Sequence, residues 1–209
     1  MRISTKNKER LKLFACHLLF YPFALRYQLD RNRFAKLHVG CGTNRFDGWI
    51  NADIDPRADM IVFLQKKLPF GSNSLEIIYS EHVLEHVSYA RCVFFLKEAY
   101  RTLKPNGVIR ISMPDLDYLI DSYQNNWKEM EWISWPEYSF IKTRAEMINI
   151  AFRWWGHQHL YNKEELARAL REAGFTTFAF QEYGKSEFKD LIGLETRSDS
   201  KLIAEAIKK

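Results

Sequence analysis

The 209-residue sequence lacks an uninterrupted apolar run of membrane-spanning length. Its most apolar stretch, LKLFACHLLFYPFALRYQL from Leu11 to Leu29, is broken by Lys12, His17, Pro22 and Arg26. A spanning helix needs about 20 consecutive apolar residues, so none is expected there. No A-x-A-like cleavage site follows, which argues against a secretory leader despite the basic start and apolar middle. Cysteine is scarce: Cys16, Cys41 and Cys92 are odd in number and share no spacing. That excludes a disulfide framework and fits reduced thiols in a cytosolic protein. There is no internal repeat and no low-complexity tract. The full G-x-G-x-x-G dinucleotide fingerprint is absent too, because position 45 is Arg.

Charge is unevenly spread. Residues 1 to 36 hold nine Lys or Arg against two Asp or Glu, whereas the whole chain carries only +5, so the remainder is mildly acidic. A phosphate-tracking surface needs basic residues spread across it, so nucleic acid binding by the domain is not expected. The reading is a basic amphipathic helical segment over 1–35 and one domain over 36–209. The segment either packs on the domain or lies against an anionic membrane face. The expected location is cytoplasmic, with peripheral contact at the inner membrane face through residues 1–30.

Apolar runs predict strands at 36–41, 48–54, 59–63, 74–80, 107–113, 175–182 and 201–207. Between the fourth and fifth, apolar residues at spacings of three and four (Val87, Ala90, Phe94; Phe95, Ala99, Leu103) predict a helix over about 83–103. It stops at LKPNG, where Pro105 blocks continuation and Asn-Gly turns the chain. A later helix starts at Asn162, with Glu165 three on and Gly174 as its stop. Alternating strands and helices imply a mostly parallel sheet.

KLHVGCGTNRFDGWINADIDP, residues 36 to 56, carries the first chemical signal. Gly40 and Gly42 allow a backbone turn that a ligand can approach closely. The following strand delivers Asp53, an acid placed to accept two hydrogen bonds from ribose hydroxyls. Yet Gly42 and Trp49 are seven positions apart, too few for the helix that normally joins parallel strands. One sheet face would be left bare, and the helix within Leu11 to Leu29 is the candidate to cover it.

In order along residues 36 to 180, LHVGCGTN, ADIDP, LPFGSNSLEIIYS, EHVLEHV, LKPNGVIRISMPD and HLYNKEELARALREAGF resemble class I S-adenosylmethionine-dependent methyltransferases. The short loop running into GWIN resembles a subgroup associated with surface-polysaccharide genes. The resemblance implies a Rossmann-like sheet of order 3-2-1-4-5-7-6, strand seven antiparallel, with the first helix of the core missing. It implies S-adenosylmethionine held by His38, Gly40, Cys41, Gly42, Asp53, Ile54, Ser80 and His82. The chain departs from the family where His38 replaces an acid, Asn44 the last loop glycine, and Phe63 an acid near the adenine. The implied activity is methyl transfer to an oxygen of a sugar or saccharide precursor. The alternatives are a binding or scaffold protein of glycan assembly that has lost catalysis, and a Rossmann-type enzyme using another nucleotide.

HVLEH places His82, Glu85 and His86 together, with His82 and His86 four apart on one helical face. H-x-x-E-H is also the inverted zinc-peptidase pattern, but here it follows a strand end. Ubiquinone-pathway O-methyltransferases have E-x-x-E-H at this point and can bind a divalent metal, so His82, Glu85 and His86 form the ligand set the resemblance offers. The plainer reading has Glu85 and His86 capping the helix.

Between the fifth strand and the last helix, about 120–160, lie five of the six tryptophans: Trp127, Trp132, Trp135, Trp154 and Trp155. This insertion reads as an aromatic helical lid, part packing and part acceptor wall. GHQH ends it with His157 and His159, plausible general bases. His159 is the favoured base, His157 the second and His82 the third.

Overall fold

The computed structural model describes residues 35–209, so the expected helix within Leu11–Leu29 lies outside the described residues. A seven-stranded sheet is built from β1 (Lys36–Val39), β2 (Ile50–Asp53), β3 (Met60–Ile61), β4 (Leu75–Glu81), β5 (Leu103–Met113), β6 (Thr177–Phe180) and β7 (Leu202–Ile207). Its order is β3-β2-β1-β4-β5-β7-β6, the order expected from the sequence. β1, β2, β3, β4 and β5 pair in parallel, while β7 runs antiparallel to both β5 and β6.

One face carries α1 (Tyr89–Thr102) and α4 (Lys163–Ala173), which pack on each other. Their apolar stripes, Phe95, Leu96 and Ala99 on α1 and Leu166, Ala169 and Leu170 on α4, sink into the main core with Leu37, Ile78 and Ile109. Burying each leucine there is worth about 1.5–3 kcal/mol. α4 begins as predicted: Asn162 Oδ1 accepts from Glu165 N at 3.0 Å, and Gly174 ends it with φ of 105°.

α1 begins at Tyr89, six residues later than periodicity suggests. His82 leaves β4 with φ of 51°, and Leu84–His86 form a separate 3-10 turn. The turn ends with Val87 in an extended conformation, and Ser88 is the N-cap residue of α1. His82, Glu85 and His86 therefore do not share a helical face.

The other face shows how a helix-free crossover is tolerated. Phe46 and Trp49, from the short loop after β1, pack with Ile77, Tyr79, Val108 and Leu191. The buried Asn51 side chain does the polar work of a missing helix: its Oδ1 accepts from Phe46 N at 2.8 Å, and its Nδ2 donates to Phe46 O at 3.1 Å. The β6–β7 connection returns across this face, bringing Phe188, Leu191 and Leu194. It is anchored by buried Arg110, whose Nε donates to Glu195 at 2.6 Å and whose Nη1 donates to Glu205 at 2.6 Å.

The lid contains α2 (Leu116–Gln124), α3 (Arg144–Arg153) and four 3-10 turns, three between these helices and one after α3. It has its own core, in which Trp127, Trp132, Tyr138, Met147 and Ile150 are buried. A reciprocal capping box of Thr143 and Glu146 starts α3. Among the described residues, no helix is long and apolar enough to cross a membrane.

Candidate active site

The carboxyl ends of β1 and β2 form the nucleoside end of the site. Gly40 and Gly42 both have positive φ, 74° and 51°. A side chain at Gly40 would overlap Val83, whereas a Cβ at Gly42 would meet nothing within 4 Å. Gly40 therefore lets the loop press against the β4 turn, and Gly42 turns open space toward any ligand. Asp53 caps the loop: Oδ2 accepts from Gly42 N and Oδ1 from Asp55 N, both at 2.9 Å. A carboxylate has about four lone-pair positions, so both oxygens keep capacity for ribose hydroxyls. Ile54 beside it is 59% exposed, an apolar surface for a flat base. Ser80, at the end of β4, is buried with its hydroxyl unpartnered among the described residues. These features fit an adenosine-type ligand.

Two residues expected at this end are turned inward. His38 is buried and stacks on Phe46, with ring centroids 4.3 Å apart. Burial lowers its pKa to about 4, so it is a neutral core ring rather than a wall of the ligand space. The Cys41 thiol is also buried, and burial raises its pKa to about 11. The placement of these side chains follows strand alternation: Leu37 and Val39 enter the helix-covered core and His38 the opposite face.

His82 follows β4. Its Nδ1 lies 3.1 Å from Glu85 Oε1, and its Nε2 lies 3.0 Å from Ser200 Oγ. Glu85 is completely buried. Burial pushes its carboxyl pKa up, but the hydrogen bond and charge of His82, with the charge of His86, outweigh this and hold it low. His86 Nε2 is 3.9 Å from the same oxygen. The GHQH strap is tied across this turn: Gln158 N and His159 N both donate to Glu85 O, at 2.8 and 3.2 Å, and Gln158 Nε2 donates to His86 O at 2.7 Å.

Beyond this turn, over the ends of β4 and β5 and beneath the lid, lies a cavity of about 380 Å³. Its apolar wall includes Trp132, Trp135, Trp155 and Tyr118; its polar wall includes His82, His86, His157, Asp115, Arg197 and Asp199. Trp155 holds a left-handed backbone conformation, φ 57°, and its Nε1 donates to Tyr138 Oη at 2.8 Å. A bulky residue in that conformation costs about 1–3 kcal/mol, and such strain clusters at ligand sites.

The structure separates the two strap histidines. His157 lines the cavity, with Nδ1 2.7 Å from Ala151 O. A carbonyl only accepts, so Nδ1 carries the proton and Nε2 keeps its lone pair. Burial lowers the His157 pKa more than that hydrogen bond raises it, keeping the ring neutral. His159, the favoured base from sequence, does not line the cavity. Its Nε2 faces Glu165 at 3.1 Å, and its ring packs on Tyr89 and Tyr161. His82 reaches the cavity, but both its ring nitrogens are engaged. The sequence reading also missed Asp115, whose carboxyl burial raises in pKa, together with Arg197 and Asp199. Asp115 is the last residue of the fifth-strand motif LKPNGVIRISMPD, a signal that was available; Arg197 and Asp199 arrive only because the β6–β7 connection folds back.

A mixed sheet of this order with a glycine loop and strand-end acid defines the Rossmann-like fold of class I methyltransferases. A methyltransferase-domain family model matches residues 33–179, and the chain belongs to this family of S-adenosylmethionine-dependent methyltransferases. No curated protein is significantly similar in sequence. Among solved structures, one similar fold is a Thermotoga maritima S-adenosylmethionine-dependent methyltransferase described as a possible histamine N-methyltransferase. It has 19% identity and a TM-score of 0.52, over 97% of this chain and 96% of that one. Another is an S-adenosylmethionine-dependent methyltransferase from Archaeoglobus fulgidus, at 15% identity and a TM-score of 0.52, over 89% and 92% of the two chains. At these identities the likeness speaks for the fold alone.

Proposed function

We propose that the protein transfers a methyl group from S-adenosylmethionine to an oxygen of a sugar or saccharide precursor, with His157 as proton acceptor. Asp53 would hold the ribose, Ile54 the adenine face, and the Gly40–Gly42 turn with Ser80 the rest of the cofactor. The bound cofactor supplies an electrophilic methyl group on a good sulfonium leaving group. The chain's own task is then alignment and proton removal. Tryptophan faces can stack on the apolar faces of a sugar and exclude water. A sugar hydroxyl is barely ionised at neutral pH, so a neutral imidazole beside it raises the population ready for attack.

The single observation that carries this reading is His157, a residue of the aromatic cavity wall whose Nδ1 contact to Ala151 O keeps its Nε2 unprotonated. The test is transfer of a labelled methyl from S-adenosylmethionine to a panel of nucleotide sugars and oligosaccharides. Label on an acceptor hydroxyl supports the proposal. Label on amines alone, across the panel and its amino-sugar members, contradicts it.

A further inference from the structure

Glu85, His86 and His157 offer one ligand atom each, all within 4.8 Å of one another. We propose that these three residues form a zinc-class divalent cation site that staples the lid strap to the β4 turn. The set differs from the one the sequence pattern offers. His82 has both ring nitrogens engaged, by Ser200 and by Glu85 itself, and the third ligand is instead a histidine more than seventy positions further along the chain.

Three observations support a built site. Glu85 is a completely buried carboxylate whose close neighbours are imidazoles, His82 Nδ1 at 3.1 Å and His86 Nε2 at 3.9 Å from the same oxygen. A buried anion costs free energy unless cationic charge faces it. His157 is pre-set as a ligand, because its Nδ1 is fixed on Ala151 O and its Nε2 lone pair is left for a metal. A ligating histidine typically has its other ring nitrogen tied to a backbone carbonyl in this way. The backbone is fixed too: the two strap amides bonded to Glu85 O, and Gln158 on His86 O, hold both ligand-bearing segments before any cation arrives.

The donor set selects the cation. Two imidazoles and one carboxylate suit zinc and its neighbours rather than magnesium or calcium, which prefer all-oxygen shells. Protein zinc–ligand bonds are about 2.0–2.2 Å, so ligand atoms in a tetrahedral shell stand roughly 3.3 Å apart. The 3.9 Å between His86 Nε2 and Glu85 Oε1 needs only a small closure. Three protein ligands leave a fourth position, and His86 and His157 both line the cavity on that side. Cation and acceptor proton compete for the one His157 lone pair. Occupancy therefore converts that residue from proton acceptor to ligand and links metal supply to methyl transfer.

The test uses the full chain, tag-free and stripped of metal, titrated with zinc chloride by calorimetry and with cobalt chloride by visible absorption. Neither cofactor nor acceptor is needed, so failure here leaves the methyl-transfer reading standing. The proposal predicts one zinc per chain and the intense d–d bands of tetrahedral cobalt. His157→Ala and His86→Ala, each checked for native circular dichroism, should weaken zinc at least 100-fold, whereas His159→Ala should bind as the parent does. Absence of saturable zinc binding overturns the proposal. So does one-to-one binding that survives in folded His157→Ala, or that is lost in His159→Ala instead.

Discussion

Glu81 and Thr196, 115 positions apart, are joined by three hydrogen bonds: Thr196 N donates to both carboxylate oxygens at 3.0 and 3.1 Å, and Thr196 Oγ1 donates at 2.7 Å. This pair seats the β6–β7 connection on the end of β4 and so places Arg197 and Asp199 on the cavity wall. Glu81→Ala should release that wall. The expected loss is about 1–2 kcal/mol of stability, since the bonds are charge-assisted but solvent-exposed. Denaturant melts would measure it. The acceptor KM should rise several-fold while cofactor affinity changes little; an unchanged KM would detach this contact from acceptor binding.

Arg110 anchors the same connection from within. Arg110→Leu leaves Glu195 and Glu205 buried without their cation. Removing one partner of a buried ion pair costs about 3–5 kcal/mol. Urea unfolding should show a loss of that order, and a loss below about 1 kcal/mol would mean the carboxylates find water or another donor.

His38 should make stability depend on acid pH. Its folded pKa, about 4, lies below its ordinary 6.5, so the unfolded chain binds the extra proton first. The neutral ring's contribution is fully present above pH 6.5 and is lost as pH falls toward 4. Those 2.5 pKa units correspond to about 3 kcal/mol by linkage. His38→Phe preserves a ring against Phe46 and should flatten the stability profile between pH 4 and 6.5. A profile as steep as the parent's would place the titrating group elsewhere.

Asp53→Ala should weaken S-adenosylhomocysteine binding by a charge-assisted acceptor, about 1.5–3 kcal/mol or roughly 10- to 100-fold. It also frees the Gly42 amide, so the glycine loop should exchange amide hydrogens faster. Calorimetry on the folded variant decides; equal affinity would remove Asp53 as the ribose ligand.

Several strands were readable from local signals, the glycine pair after β1, LKPNG before the main run of β5 and Gly174 after α4, and their order was readable only through the family resemblance. The caps at Asn162 and Gly174 were readable from local signals too. What escaped depends on long-range contacts. The late start of α1 reflects the left-handed His82, whose amide donates to Ser112 O at 2.9 Å on the neighbouring strand. The covering of the bare sheet face depends on Arg110 and Glu195 meeting from opposite parts of the chain, with Leu191 packed against Val108. In the site, the family pattern placed Asp53 and the glycine turn. Nothing in GHQH tells which histidine turns inward, because Ala151 O captures one ring and Glu165 the other.

The account rests most directly on His157 as proton acceptor in the lid cavity. The deciding measurement is methyl transfer at saturating S-adenosylmethionine by the parent, His157→Ala and His159→Ala, with cofactor affinity measured alongside. His157→Ala should lose about 100- to 10,000-fold in kcat with near-normal cofactor binding, while His159→Ala stays within a few-fold of the parent. Full turnover by His157→Ala, or a collapse confined to His159→Ala, would contradict the account.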